Sequence, residues 1–339
     1  MQGTVLVTGA AGFVGSHVVR ELLANGRVVR ATARDPSGAS FLEDLSVGEG
    51  GGLEIVKMEL LDSASVDSAV AGCSDVIHCA AALYLGAMDP QKDVVDPSVV
   101  GTRNLISAIE KDGGVERIVH TSSVAAIRPT FYKKGATFGP SDWCDDATVK
   151  NNAYGLAKAE AERIIRKWWE GVPEGSRPRL VTIHPSVVIG PMYAERHLVG
   201  SMKYLDHLLK AKLPFVLKSH INMVDVRDVA TAHVRALDTG QNGARYVAHS
   251  GSLWHKELAL MLKESVPSRK WATRQLPKLA TYIVSIFHPD ITPNWVRKNI
   301  GTTCYYDASK TESELGIKWI PMKESIADGA MSAMNNKWR

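Results

Sequence analysis

Thr4-Val5-Leu6-Val7-Thr8-Gly9-Ala10-Ala11-Gly12-Phe13-Val14-Gly15 runs from a short apolar stretch into three glycines spaced three apart. Residues 4–7 read as a strand and residues 12–24 as an amphipathic helix, so the glycines occupy the turn between them. Gly9 allows the tight turn, Gly12 lets backbone approach a pyrophosphate, and Gly15 permits close packing of helix on strand. The first helical residues, Phe13 and Val14, add unpaired N–H groups and a partial positive charge that suit phosphate. A glycine triplet alone is a weak signal. In this strand–turn–helix setting it reads as a dinucleotide-binding turn.

Outward from the turn, strand-like runs at 28–33, 54–58, 75–78, 117–120 and 180–183 alternate with helical patterns at 65–71, 99–111 and 154–169. Alternation of this kind predicts an α/β fold, a Rossmann-type doubly wound parallel sheet with helices on both faces. The rhythm loosens after residue 186. We therefore expect a dinucleotide-binding domain over 1–185, with a helix at 226–238 returning to it. The remainder, 186–339, is expected to be a smaller, irregular and mainly substrate-binding domain. On open α/β sheets ligands sit beyond the carboxyl ends of the strands.

The second strand bears on the choice of cofactor. It ends Ala33-Arg34-Asp35-Pro36. An acid here usually bonds a ribose 2′-hydroxyl and selects NAD, whereas an arginine can pair with the 2′-phosphate of NADP(H). Arg34 favours NADP(H). Asp35 is either the NAD-type acid or a cap for the turn that Pro36 starts. Glu59 and Leu60 after the third strand, and Ala80 and Ala81 after the fourth, are further candidate cofactor contacts. His78 reads as a core histidine.

Tyr154-Gly155-Leu156-Ala157-Lys158 puts a tyrosine and a lysine on one helical face, a turn apart. A free tyrosine has a pKa of about 10, and a nearby ammonium favours its phenolate. The pair matters because Thr121-Ser122-Ser123 follows directly on the 117–120 strand, at the sheet edge where a nicotinamide would lie. Thr121 is a candidate cofactor contact there. Ser123 can donate a hydrogen bond to a carbonyl, and Tyr154 can give it a proton. Serines after strands also commonly cap turns; the joint occurrence in this order carries the catalytic reading of Ser123, Tyr154 and Lys158.

With TGAAGFVG (8–15), HTSS (120–123), YGLAK (154–158), HPSVVIGP (184–191) and NMVDVRDVATAH (222–233) in hand, the chain resembles an extended short-chain dehydrogenase/reductase over essentially its whole length. VRATARDPS (29–37) narrows this to the branch of dihydroflavonol reductases, cinnamoyl-CoA reductases and microbial aldehyde and ketone reductases. The resemblance implies that Pro185 and Val188 pack on the nicotinamide and that Ser123, not Ser122, is the catalytic hydroxyl. It also implies a possible homodimer through the 99–111 and 154–169 helices. Asp96-Pro97-Ser98-Val99-Val100-Gly101-Thr102 lacks the asparagine typical of sugar-nucleotide epimerases. Asn151-Asn152-Ala153-Tyr154 lacks the tryptophan- and cysteine-rich surroundings of plant cinnamoyl-CoA reductases, which argues against a CoA thioester.

The expected activity is NADPH-dependent reduction of a small aldehyde or ketone. The competing readings are an NAD-dependent 3β-hydroxysteroid or sugar-nucleotide type dehydrogenase and a non-catalytic NADP(H)-sensing protein. Bulk properties narrow the field further. A net charge of +4 from scattered residues offers no stripe for nucleic acid. Four cysteines without metal-ligand spacing read as reduced thiols, and no metal is expected. No signal peptide is expected before the first strand. Residues 279–287 (LATYIVSIF) fall far short of the roughly 20 residues of a membrane span. They read as a helix packed over a pocket or another subunit, and the expected location is the cytoplasm.

Overall fold

A computed structural model describes residues 3–80, 89–209, 215–287 and 293–334, without the side chains of 204, 207, 294 and 295. The strands are β1 Val5–Thr8, β2 Val28–Ala33, β3 Gly52–Lys57, β4 Asp75–His78, β5 Arg117–Thr121, β6 Ala136–Phe138, β7 Arg179–Pro185, β8 Val187–Ile189, β9 His220–Asp225, β10 Arg245–Ala248, β11 Gly251–Trp254 and β12 Cys304–Tyr306. Among the described residues seven form one sheet in the order β10-β7-β5-β4-β1-β2-β3, with every pairing parallel. The strand order reverses between β1 and β4, where such sheets bind their ligands.

The helices that cover this sheet are α1 Phe13–Ala24, α2 Ser63–Val70, α3 Asp96–Asp112 and α4 Val149–Gly171; α5 Gly200–Leu209 belongs to the second half of the chain, and α6 Val226–Thr239 returns to the sheet. Val18, Val19, Leu22 and Leu23 of α1 and Val229 and Leu237 of α6 form the core of one face with Val5, Val7 and Val29. Val66 of α2, Leu105 and Ile109 of α3 and Ile165 of α4 form the other with Leu6, Val76 and Leu180. Each helix buries one apolar stripe, as its period demands.

β10 was not among the strands expected. It comes from 245–248, inside the region read as mainly substrate-binding, and completes the sheet beside β7. The later helices are α7 His255–Ser265, α8 Lys278–Phe287, α9 Pro293–Asn299, α10 Ser309–Leu315 and α11 Met322–Met334. Met202 and Leu205 of α5, Leu258 and Leu262 of α7 and Ile326 and Ala330 of α11 enclose a separate core. This packs around a small sheet in which β9 lies between β8 and β11. β12 pairs with β6 and so brings the C-terminal region against the loop before α4.

The stretch read as LATYIVSIF is helical in α8, with Thr281 and Ser285 buried and Leu279, Tyr282, Ile283 and Ile286 exposed. Among the described residues no helix is long and apolar enough to cross a membrane.

Candidate active site

Gly9 has φ +65°, the left-handed region that only glycine enters without strain, and a Cβ there would lie 2.8 Å from the Cα of Ala80. β1 and β4 can therefore deliver their loops side by side at the point of reversal. Ala80 is pinned by its N–H donating to Thr8 Oγ1 at 3.1 Å. Ala81 lies outside the described residues. Gly12 caps α1 with no side-chain hydrogen bond, so the N–H groups of Phe13, Val14 and Gly15 keep the unpaired character of a helix start. No acidic side chain stands in that first turn. These features fit a bound pyrophosphate.

Arg34 is exposed just past the end of β2. The Asp35 carboxylate is engaged locally: its Oδ1 accepts from Ser37 N–H at 3.1 Å and from Ser37 Oγ at 2.7 Å. Ser37 also holds the Asp35 carboxyl below its ordinary pKa. Of the two readings of Asp35, the turn cap is the one its hydrogen bonds match. Sequence reasoning missed a second cation at this turn, Arg196, whose Nη1 donates to Gly38 O at 2.7 Å. The next residue, His197, lies 3.3 Å from Ala11 O through its Nε2. Nothing in the local sequence marks these two, because they arrive from the second half of the chain.

Glu59 and Leu60 follow β3. Ser65 Oγ bonds both backbone groups of Glu59 at 3.0 Å, and Leu60 O accepts from Asn104 Nδ2 at 2.9 Å. Pro185 ends β7, buried, and Val188 lies partly buried on β8. His78 is a core residue: its Nδ1 is 2.7 Å from Thr8 Oγ1, and burial lowers its pKa to about 3. Asp225 and Asp228 also serve backbone groups, accepting from Arg227 N–H and Ile320 N–H at 2.8 Å each.

The end of β5 and the start of α4 bring the Ser–Tyr–Lys set together. α4 breaks at Asn152, whose backbone is extended (φ −164°, ψ 66°). The Asn152 Oδ1 accepts from Gly155 N–H at 3.0 Å and so caps a fresh helical segment with Tyr154 in its first turn. A Cβ on Gly155 would run into the Asn152 amide, so a larger residue there would displace this cap. Ser123 is nearly buried, and its Oγ accepts from Ala125 N–H at 3.1 Å, capping the short turn 124–126. It also hydrogen-bonds the Tyr154 hydroxyl. Ser122 instead commits its hydroxyl to Glu162, 2.7 Å away.

Burial pushes the Tyr154 hydroxyl above its ordinary pKa, with the hydrogen-bonding interaction from Ser123 acting against it. Sequence reasoning had the lysine favouring the phenolate, but desolvation dominates in the protein alone. Lys158 is buried and donates from Nζ to Thr121 O at 3.1 Å. Burial lowers its pKa to about 8, with Cys79 and Glu162 pulling the other way. Thr121 is held from its side chain too, with Oγ1 2.7 Å from His233 Nε2 on α6.

A parallel sheet with a glycine turn at its point of reversal, and a Ser–Tyr–Lys cluster two strands away, defines a dinucleotide-binding α/β protein. The family model described as "NAD dependent epimerase/dehydratase family" matches residues 5–248, and the chain belongs to that family. It is 30% identical over 345 residues to cinnamoyl-CoA reductase CAD2 of Medicago truncatula, covering 98% of this chain and 96% of that protein. It is 29% identical over 279 residues to the bifunctional dihydroflavonol 4-reductase/flavanone 4-reductase of Malus domestica, covering 80% of this chain and 78% of that one. Among solved structures, yeast methylglyoxal/isovaleraldehyde reductase Gre2 complexed with NADPH shares the fold. Its TM-score is 0.79 at 23% identity, with 98% of each chain covered.

Proposed function

We propose that this NADP(H)-dependent oxidoreductase reduces an aldehyde or ketone to the alcohol, with Tyr154 as the proton donor. One observation carries the reading. The hydroxyls of Ser123 and Tyr154 stand together at the carboxyl edge of β5, with the Lys158 ammonium anchored on that same edge.

The backbone of Gly9 to Gly15 would hold the pyrophosphate, Arg34 the 2′-phosphate, and Lys158, Pro185 and Val188 the nicotinamide end. When bound, the cofactor supplies the hydride that the carbonyl carbon accepts. Ser123 Oγ accepts from Ala125 N–H and bonds the Tyr154 hydroxyl, and with a substrate bound its O–H would turn to polarise the carbonyl oxygen. Tyr154 gives its proton to that oxygen as negative charge develops there. Burial raises the Tyr154 pKa in the protein alone, so the phenol needs neighbouring positive charge to give its proton up. Lys158, charged below about pH 8, and the positive end of the helix segment begun at Asn152 both stabilise the phenolate left behind. The chain from 186 onward is assigned the substrate pocket. Two copies are proposed to pair through α3 and α4, where Arg103, Glu110, Ile164 and Trp168 line an open groove.

The test is NADPH oxidation, followed by absorbance, with a panel of aldehydes, diketones, dihydroflavonols and steroid ketones. Turnover with a carbonyl is expected, faster with NADPH than with NADH. Tight NADPH binding without turnover of any carbonyl would overturn the proposal in favour of a sensing protein.

A further inference from the structure

Tyr154, Lys158 and Glu162 succeed one another at four-residue steps along α4, and the third has no part in the chemistry described above. Glu162 is fully buried, and both of its oxygens are saturated. Oε2 accepts from Ser122 Oγ and lies 2.7 Å from His184 Nε2. Oε1 accepts from Arg245 Nε at 2.7 Å, Arg166 Nε at 3.0 Å and Thr182 Oγ1 at 3.3 Å. These partners come from the end of β5, from β7, from β10 and from α4 itself. Burial alone would push the Glu162 carboxyl up, but His184, Arg245 and Arg166 hold it well below the usual carboxylate range.

Two features make this more than packing. The first is where the bonds go. Ser122 stands between Thr121, whose carbonyl receives Lys158, and Ser123, which faces Tyr154. Arg245 carries the constraint onward to the loop that leads into α4, donating to Pro140 O and Asp142 O at 2.6 and 2.7 Å and stacking 3.9 Å over Trp143. The second is energetic. A buried ion cluster returns little net stability, because desolvating its charges costs about what their attraction gives back. Apolar side chains of similar volume would serve a core as well. A directed cluster adds fixed hydrogen-bond geometry between helix and sheet, which favours one register of the two.

We propose that Glu162 is a positioning residue for reduction: it sets the register of the helix bearing Tyr154 and Lys158 against the Ser122–Ser123 end of β5. It thereby sets the gap in which the carbonyl oxygen is held. The proposal rests on the reductase reading. Its charge has a separable consequence. Lys158 is faced by His78 from β4, Cys79 just after it, His120 from β5 and Glu162 from its own helix. Glu162 is the anion among these, and it raises the lysine's pKa.

The experiment compares Glu162→Gln and Ser122→Ala with the parent protein in kcat, KM, the pH profile of kcat/KM, NADPH binding by fluorescence and thermal midpoint. Glu162→Gln should lower kcat by about tenfold or more, since small misplacements at a reacting centre cost this much. NADPH affinity should stay within about twofold, and the alkaline limb of kcat/KM should move to lower pH. Ser122→Ala removes one tether but keeps the carboxylate, so it should lower kcat without moving that limb. A Glu162→Gln protein that melts earlier yet keeps kcat and limb would overturn the proposal. Should Glu162→Gln fail to fold, Ser122→Ala decides: parental kcat overturns the proposal, and reduced kcat at an unchanged midpoint supports it. If the parent reduces no carbonyl, the reductase reading fails by itself. Amide hydrogen exchange over residues 153–158 then tests the register directly. Faster exchange in Ser122→Ala supports the role, and parental exchange overturns it.

Discussion

Lys158 Nζ donates to the carbonyl oxygen of Thr121 at 3.1 Å, which ties the ammonium to the strand that delivers Ser123. The lysine is buried, and desolvation opposes its charge strongly enough to bring it down to about 8. Strand end and helix face are thus joined by a group that titrates near pH 8.

The pH dependence follows from that value. Lys158 is charged below about 8 and loses its proton as pH rises through it, while Tyr154, pushed above its ordinary value, stays protonated across the same range. The kcat/KM for reduction, which reports the free enzyme, should be level on the acid side and fall as pH passes about 8. A profile that stays level to pH 9.5 would remove Lys158's charge from the account.

Gly9 and Gly72 both have positive φ, +65° and +72°, in different surroundings. A Cβ on Gly9 meets Ala80 backbone at 2.8 Å, and one on Gly72 meets nothing within 4 Å. Alanine at either costs about 1–2 kcal/mol of backbone strain. Gly9→Ala should also weaken NADPH binding by about tenfold or more by spreading the two loops. Gly72→Ala should lower only the thermal midpoint. Equal NADPH affinity in the two variants, measured by fluorescence titration, would contradict this.

Arg34→Ala should lower the preference for NADPH over NADH, measured as the ratio of kcat/KM values, by about tenfold, the worth of one charge-assisted phosphate contact. Rising salt should erode the parent's preference in the same direction, because the group is exposed. An unchanged ratio would reject Arg34 as the 2′-phosphate ligand.

At the opposite end of the sheet Asp75 is fully buried, 3.2 Å from Arg27 Nη2 and 2.6 Å from Arg117 Nη2. Asp75→Ala leaves both guanidiniums without this partner. Asp238 still pairs with both and Arg117 is partly exposed, so the cost in urea unfolding should fall below the about 3–5 kcal/mol of a fully broken buried pair but exceed about 1 kcal/mol. The folded fraction should keep its kcat within about twofold, since the cluster lies at the amino ends of the strands. A parental unfolding midpoint would contradict the first half, and a lost kcat the second.

The parts of the molecule legible in the sequence are those written in local periodicity. β2 and β4 fall at the expected residues, and the glycine turn is recognisable because turn, strand and helix are contiguous. β10 was missed because Arg245-Tyr246-Val247-Ala248 is a four-residue stretch opening on an arginine, too short to show a period, and its identity depends on β7, some sixty residues earlier. The helix expected from 154 matches the segment that Asn152 caps, but the turn of α4 from Val149 up to that break was not expected, because the break is made by the Asn152 amide accepting from Gly155 N–H. Glu162 could have been found, since it continues the Tyr154–Lys158 spacing by one more turn. Arg196 could not, for its place beside Gly38 is made by the folding of the second half of the chain onto the first.

The most direct measurement is the rate of NADPH oxidation by Tyr154→Phe with a carbonyl that the parent protein reduces, alongside its NADPH affinity. Removing the proton donor should cut kcat by about 10²–10⁴-fold while NADPH binding stays near the parental value. A Tyr154→Phe protein that reduces the same carbonyl at a rate close to the parent's would contradict the account.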